Sequence, residues 1–319
     1  MTQVPPPVRR VLERGVFCHV AALTRIGPHV TPMVYALAGG SLWVTTSRGS
    51  VKARAWRSDP RVAGLVRAGE DAVAFAGIAT MHDVLDASSW GRSAVRSPML
   101  VVAATRFTRK NARFFAGYAV DARRVPLAWT PPGRVFVELS VERAALFEDG
   151  KEPRTWGDWG GGPLASAERF RATRTGDGPF EPLPPDVRAA LGDRGGGALA
   201  LEGDDGPVVL PTSWTISGTG LYAVAPEETL ALGSPPSATP AAALGVDHPS
   251  SWRARRMVGA MARGRAEIHA AARLSSGGAS AKAIASSAGA DQGHLAVVRL
   301  RPERFVWWRG WESGSVRTP

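Results

Sequence analysis

The sequence predicts a mainly β protein in which one small barrel or sandwich occurs twice. Three observations carry this. The first part of the chain runs as short apolar strands separated by tight turns. The same pattern returns near residue 195, in the same order. Between the copies, residues 151–194 are rich in Gly, Pro and Asp and predict a linker or covering segment.

In chain order, VRRVLERG (8–15) predicts a short amphipathic helix closed by Gly15. VFCHVAAL (16–23) predicts a buried strand, TRIGP a turn at Gly27, and HVTPMVYAL (29–37) the next strand, with Pro32 at an edge or bulge position. AGG (38–40) turns the chain into SLWVTT (41–46). Residues 50–58 predict a helix with Ser50 as N-cap and Asp59-Pro60 just past its end. RVAGLV (61–66) and AVAFAGIATMHDV (72–84) return to strands, residues 97–120 turn helical, and RVFVELSVERAALFEDG (134–150) closes the first unit, 1–150. Trp156 and Trp159 are expected to pin the linker to the surface, and 195–319 form the second, degenerate unit.

The repeat rests on two ungapped anchors. At an offset of 179, VTPMVYALAGGSLWV lies over VLPTSWTISGTGLYA, which puts Pro32 on Pro211 and Leu42-Trp43 on Leu221-Tyr222. At an offset of 161, VELSVERAALF (137–147) lies over VRLRPERFVWW (298–308). Two ordered matches argue for duplication, and a duplicated unit of this kind arises when a two-fold dimer is fused into one chain. A monomeric pseudo-dimer is expected.

Composition bounds the function. The 319 residues suffice for two domains. Hydrophobic residues make up 44% and charged residues 21%, a soluble balance. No run of 18 apolar residues predicts a membrane span, and MTQVPPPVRRVLERG has no apolar signal region. Cys18 is the one cysteine, expected as a small buried strand residue, which suits a reducing cytoplasm. The net charge of +11 is carried almost wholly by Arg, in a chain heavy in Ala, Gly and Pro. No finger, RNP-type strand or basic heptad helix accompanies it, so nucleic acid is not the expected partner; a small molecule is.

Residues 45–62, TTSRGSVKARAWRSDPRV, concentrate two hydroxyls, a Ser-Arg-Gly-Ser turn, one Lys and several Arg at a strand-to-helix junction. A helix N-terminus carries orphan N–H groups and partial positive charge, so it favours an anion. Gly49 lets backbone approach closely, Ser50 can cap or donate, and Lys52 adds a point charge. On spacing alone, a solvated helix face with a Ser N-cap fits as well as a phosphate socket.

VLERGVFCHVAAL, GPHVTPMVYAL and LWVTTSRGSVKARAWRSDPRV, in this order, resemble the FMN-binding split-barrel family, which includes pyridoxamine 5'-phosphate oxidase and relatives using flavin or a deazaflavin. The resemblance covers residues 10–84 well and 134–147 fairly, and the second half more weakly. It implies two tandem split β-barrels with peripheral helices and a cofactor in the groove between them. It implies that Thr45 and Thr46, with Ser47, contact the ribityl chain and phosphate. Ser50 and Lys52 would hold the phosphate with Arg48 or Arg54 assisting, and backbone at Val30, Thr31 and Pro32 would lie beside the ring. The family often has Asn-Leu where this chain has Ala55-Trp56, so that Asn contact is lost. SSWRARRMVGAMARGRAEI (250–268) resembles the strand pair of the partner barrel, and Trp252, Arg253 and Arg255 are expected to supply the other wall of the groove.

In the second copy, Glu227 and Glu228 stand at the Arg48-Gly49 positions, and Ala231 stands at that of Lys52. Carboxylates there would repel a phosphate, so one cofactor per chain is expected. The cofactor is FMN or, if Arg48, Arg54, Arg57 and Arg61 form an extended basic groove, the deazaflavin coenzyme F-420. The expected chemistry is hydride transfer to or from a small organic substrate. A non-catalytic flavin or haem sensor or carrier, and a cofactor-free scaffold, are the alternatives. Haem would draw on His29 or His82. Among His19, His29, His82, His248, His269 and His294, only Cys18-His19 approaches metal-ligand spacing, and adjacent strand residues face opposite sides, so no metal site is expected. Phe114, Phe115 and Tyr118 read as a core stripe, GGGALALEG (195–203) enters a strand, and 270–293 read as a loop. No side chain presents itself as an essential acid or base.

Overall fold

A computed structural model of the chain describes residues 4–83, 85–86, 90–120, 133–148, 151–160, 164–167, 179–233, 237–248, 254–270, 284, 286 and 295–318. Helix α1 (Pro6–Arg14) leads into strands β1 (Phe17–Thr24), β2 (Gly27–Ala38) and β3 (Ser41–Ser47), helix α2 (Val51–Ser58), and strands β4 (Arg61–Ala68) and β5 (Asp71–His82). Helices α3 (Trp90–Val95), α4 (Ser97–Lys110) and α5 (Ala112–Val120) follow, then β6 (Arg134–Leu139), β7 (Arg143–Phe147) and β8 (Arg154–Trp156). Neighbours run β4-β1-β2-β3-β6-β5, and β5 pairs back with β4, so the six strands close a barrel. The turn between β2 and β3 is Gly39-Gly40, with φ of 61° and 83°. Two positive φ values in a two-residue loop give a hairpin turn that matches strand twist.

The second half repeats this order. Helix α6 (Pro185–Leu191) precedes β9 (Arg194–Gly203), β10 (Gly206–Ser217), β11 (Gly220–Pro226), helix α7 (Glu227–Ala231), β12 (Ala241–His248), β13 (Val258–His269), β14 (Leu295–Arg309) and β15 (Glu312–Arg317). Neighbours run β11-β10-β9-β12-β13-β14, closed by β11–β14. The fold is therefore two closed six-stranded barrels with a few peripheral helices. The bounds of β2 and β3 shifted by 179 are those of β10 and β11. Leu42 pairs with Leu139 in the first barrel and Leu221 with Leu300 in the second, joining both sequence anchors in one register.

Three details go beyond the sequence reading. Pro6 and Pro185 stand 179 apart, and α6 packs on β12–β14 as α1 packs on β4, β5 and β7. A copy of the leading helix thus lies in the stretch read as linker. Residues 254–268 do not form a strand pair: Ala254–Arg256 is a single 3-10 turn, and Val258–His269 is one strand between β12 and β14. Trp159 is buried and donates from Nε1 to the Ala144 carbonyl at 3.1 Å, which ties this segment to the first barrel. The loop expected over 270–293 lies, apart from 270, 284 and 286, outside the described residues.

The barrels meet reciprocally. β4 packs on β10 and β12 on β2. A Cβ on Gly27 would lie 2.8 Å from Ala241 Cβ, and one on Gly206 would lie 3.1 Å from the Arg61 side chain. Each half thus presents the same patch to the other, as an isologous dimer does. Packing explains the run AVAFAGIA. Val73 and Phe75 point into the first barrel, while Ala72, Ala74 and Ala76 join the apolar seam with the second. Both faces of β5 are buried, so the hydrophobic pattern is nearly continuous.

Candidate functional site

A groove of about 350 Å³ opens between β2, β3 and α2 of the first barrel and the β14–β15 hairpin of the second. This is within the size range of small-molecule clefts, roughly 300–1,000 Å³. Its polar end is built at the β3–α2 junction. Ser50 caps α2, its Oγ accepting from the Ala53 N–H at 3.1 Å and lying 2.9 Å from Thr46 Oγ1. Lys52 sits on the buried face of the helix, 4% exposed, and donates from Nζ to the Thr31 carbonyl at 3.4 Å and to the Thr31 hydroxyl. No carboxylate among the described residues forms an ion pair with it. Burial pushes its pKa down to about 7, because desolvation penalises the charged form.

His29 also lines the groove. Burial first, then the charges of Lys52 and Arg263, lower its pKa to about 3, so the imidazole is neutral at physiological pH. Arg134, at the start of β6, forks onto Thr45: Nε donates to Oγ1 at 3.0 Å and Nη2 to the carbonyl at 2.6 Å. The opposite wall is largely apolar and comes from Met257, Val306, Trp307, Trp308 and Trp311, with Glu312 and Ser313 at its edge. Glycines make room for two of the indoles: a Cβ on Gly259 would lie 2.4 Å from Trp308, and one on Gly314 would lie 2.6 Å from Trp307.

Of the residues expected from sequence, the structure brings Thr31, Pro32, Thr45, Thr46, Ser47, Ser50 and Lys52 together around this groove. Val30, Arg48, Arg54 and Arg255, the other described ones, do not line it. Val30 is fully buried in the inter-barrel seam, its N–H 3.2 Å from Met261 Sδ. Arg48 is engaged by Asp83, with Nε 2.8 Å from Oδ2 and Nη2 2.8 Å from Oδ1, and Arg57 approaches the same carboxylate at 3.6 Å. Arg54 is exposed and donates to the Gly49 carbonyl. Arg61 is forked onto Asp59. Arg255 is exposed on the 3-10 turn and does not line the groove. Trp252 and Arg253 lie outside the described residues. The arginines of residues 48–61 therefore do not form an extended basic groove, because local carboxylates and carbonyls hold them.

Arg134 and the Trp307–Trp311 wall went unread in the sequence. Arg134 reaches the site through the pairing of Arg134 with Ser47 across β6 and β3, and the indoles arrive through barrel–barrel docking. Phe114, read as core, is buried and also lines the groove. His82 is elsewhere, stacked on Trp43 at 5.5 Å and 3.8 Å from Glu138. Cys18 is fully buried in β1. In the second barrel, α7 has Pro226 at its N-cap with no side-chain cap bond, Glu227 and Glu228 in its first turn, and Thr229 buried. Among the described residues no group of three or more His, Cys, Asp or Glu could share a metal ion, and no helix is long and apolar enough to cross a membrane.

Residues 7–79 match the family model described as pyridoxamine 5'-phosphate oxidase. No curated protein matches the chain significantly. Solved structures similar to it include a pyridoxamine 5'-phosphate oxidase-related, FMN binding protein from Nostoc punctiforme, with 16% identity and a TM-score of 0.37 over 49% of this chain and 91% of that one. A FAD-binding protein from Mesorhizobium loti is 20% identical, with a TM-score of 0.32 over 46% of this chain and 95% of that one. A heme binding protein from Mycobacterium smegmatis is 17% identical, with a TM-score of 0.34 over 48% of this chain and 60% of that one.

Proposed function

We propose that this chain binds one flavin, FMN, in the groove between its barrels and acts as an oxidoreductase toward a small organic substrate. The observation that carries the reading is Lys52: a buried lysine without a carboxylate partner among the described residues, beside the capped N-terminus of α2, at the polar end of a largely apolar groove. A phosphomonoester supplies the missing counter-charge, and the orphan N–H groups of the helix add donors. The match of residues 7–79 to the oxidase family model supports the same assignment.

Residues of this chain would divide the work. Ser50, Thr46 and Lys52 hold the phosphate. Arg134 fixes the Thr45 hydroxyl beside the ribityl path. Trp307, Trp308 and Met257 give the ring an apolar wall that excludes water, which strengthens polar contacts inside. Neutral His29 is able to donate or accept one hydrogen bond without adding charge. The bound flavin supplies hydride transfer, and the protein supplies position and electrostatics. FMN is favoured over a deazaflavin with a long anionic tail because Arg48, Arg57 and Arg61 are held by Asp83 and Asp59.

The test is purification followed by absorption spectroscopy and FMN titration. Flavin bands, or saturable quenching of FMN fluorescence that is lost in Lys52→Ala, are expected. A Soret band, or FMN affinity unchanged in Lys52→Ala, would overturn the reading.

A further inference from the structure

The outer face of the second barrel carries arginines in a row. Arg263 on β13 pairs directly with Arg304 on β14, and Arg304 pairs directly with Arg317 on β15. Directly opposed residues of antiparallel strands share a face with Cβ atoms about 5 Å apart, and like charges so placed repel. Arg263 is 7% exposed, Arg304 half-buried and Arg317 exposed. Among the described residues none of the three forms an ion pair or a side-chain hydrogen bond. Glu303 is exposed and forms no ion pair among the described residues; its charge only partly offsets, at Arg263, burial and the like charge of Arg304.

Elsewhere in the sheet some arginines do find a carboxylate. Glu267 lies opposite Arg299 and pairs with it at 3.5 Å, and with Arg301 at 2.5 Å. A row of three opposed arginines costs stability unless something supplies the anion. The row's place is also informative. Val306 and Trp308, which line the groove, follow Arg304 on the same face of β14 at two-residue steps, about 7 Å each. Arg304 thus lies on the same face of β14 as two groove-lining residues, just beyond the groove itself. Arg263 faces the first barrel, where its charge is one of those that keep His29 neutral.

We infer that Arg263, Arg304 and Arg317 form an anion-binding site, distinct from the α2 junction, for a small ligand bearing at least two phosphate or carboxylate groups. Three guanidinium forks in adjacent strands match more than one anionic group. A small ligand is required because Arg263 lies buried at the seam, out of reach of a macromolecular surface.

Inorganic pyrophosphate and citrate are the probes, used on the full chain by calorimetry and thermal shift. Wild type and Lys52→Ala are expected to bind at least one of them, with affinity falling as salt rises. The double variant R304Q/R317Q, altered only at half-buried or exposed positions, should lose at least about tenfold in affinity. Without ligand, R304Q should melt higher than wild type, because a repulsive pair is gone; a merely structural arginine would give a lower melting temperature. FMN titration of R304Q/R317Q should match wild type, whichever probe binds. Undiminished probe affinity in R304Q/R317Q, loss of all probe binding in Lys52→Ala alone, or a lower melting temperature in R304Q would overturn the inference.

Discussion

Lys52 and Thr31 meet across the floor of the groove, the ammonium donating to the Thr31 carbonyl at 3.4 Å and to its hydroxyl. That contact solvates the amine but leaves its charge uncompensated. With a pKa of about 7 against an ordinary 10.5, Lys52 is partly deprotonated in the folded chain near neutral pH. The unfolded chain binds the extra proton between those two values, so this group makes stability rise with pH through that window. A phosphate dianion prefers the protonated form. FMN affinity should therefore fall as pH rises above 7, by up to about tenfold per unit at the limiting slope. Lys52→Arg, which stays charged, should flatten that dependence. Equilibrium titrations at pH 6.5, 7.5 and 8.5 decide it, and an equal slope in both proteins would contradict the assignment.

Ser50 separates binding from folding. Its hydroxyl accepts from the Ala53 N–H and so caps α2. Ser50→Ala removes the cap, costing about 1 kcal/mol of stability. Ser50→Asp keeps a good cap and suits the helix dipole, so its melting temperature should stay near that of wild type. The same carboxylate would face a bound phosphate, so FMN affinity should drop at least about tenfold. Thermal melts and FMN titrations of both variants are needed. An aspartate variant that binds FMN normally would place the phosphate elsewhere.

The duplication was legible because strand bounds and register copy at one offset: β2 and β3 recur as β10 and β11 without a gap. The second leading helix was missed although Pro5, Pro6, Val8 and Leu12 recur as Pro184, Pro185, Val187 and Leu191 at that offset. Its prolines read as linker, yet Pro is favoured in a first helical turn. The polar end of the groove was legible because Thr45, Thr46, Ser50 and Lys52 are close in sequence. Arg134 and Trp307 were not, since pairing and docking, not proximity in the chain, bring them there. The Arg48–Asp83 pair was not legible, because nothing local reveals that Asp83 takes this arginine.

One glycine in each barrel tests the duplication at the level of packing. Gly77 on β5 and Gly264 on β13 lie beneath the kink of the facing strand. A Cβ would fall 2.1 Å from the Ser140 carbonyl oxygen in the first case and 2.0 Å from that of Arg301 in the second. Ser140 and Arg301 are themselves 161 apart, the offset of the second anchor. Gly77→Ala and Gly264→Ala should each cost about 3 kcal/mol or more, as backbone must move. Gly49→Ala, with nothing within 4 Å of the new Cβ, should stay within about 0.5 kcal/mol. Urea midpoints of the three variants provide the comparison, and a tolerated alanine at either strand position would show that the kink is not rigid.

His29 should mark the acid limb of stability. Its folded pKa of about 3 lies below the ordinary 6.5, because burial and the charges of Lys52 and Arg263 oppose protonation. Between those values the unfolded chain holds a proton that the native chain refuses. Stability therefore falls as pH drops through that window, by up to about 1.4 kcal/mol per unit from this group. His29→Gln keeps a polar side chain in the groove and removes the titration. Its urea midpoint should change less than that of wild type between pH 7 and pH 4. A wild-type slope in His29→Gln would move the acid sensitivity to other groups. In that case His29 would be either more solvated than its burial implies or protonated at little cost through contacts within the groove.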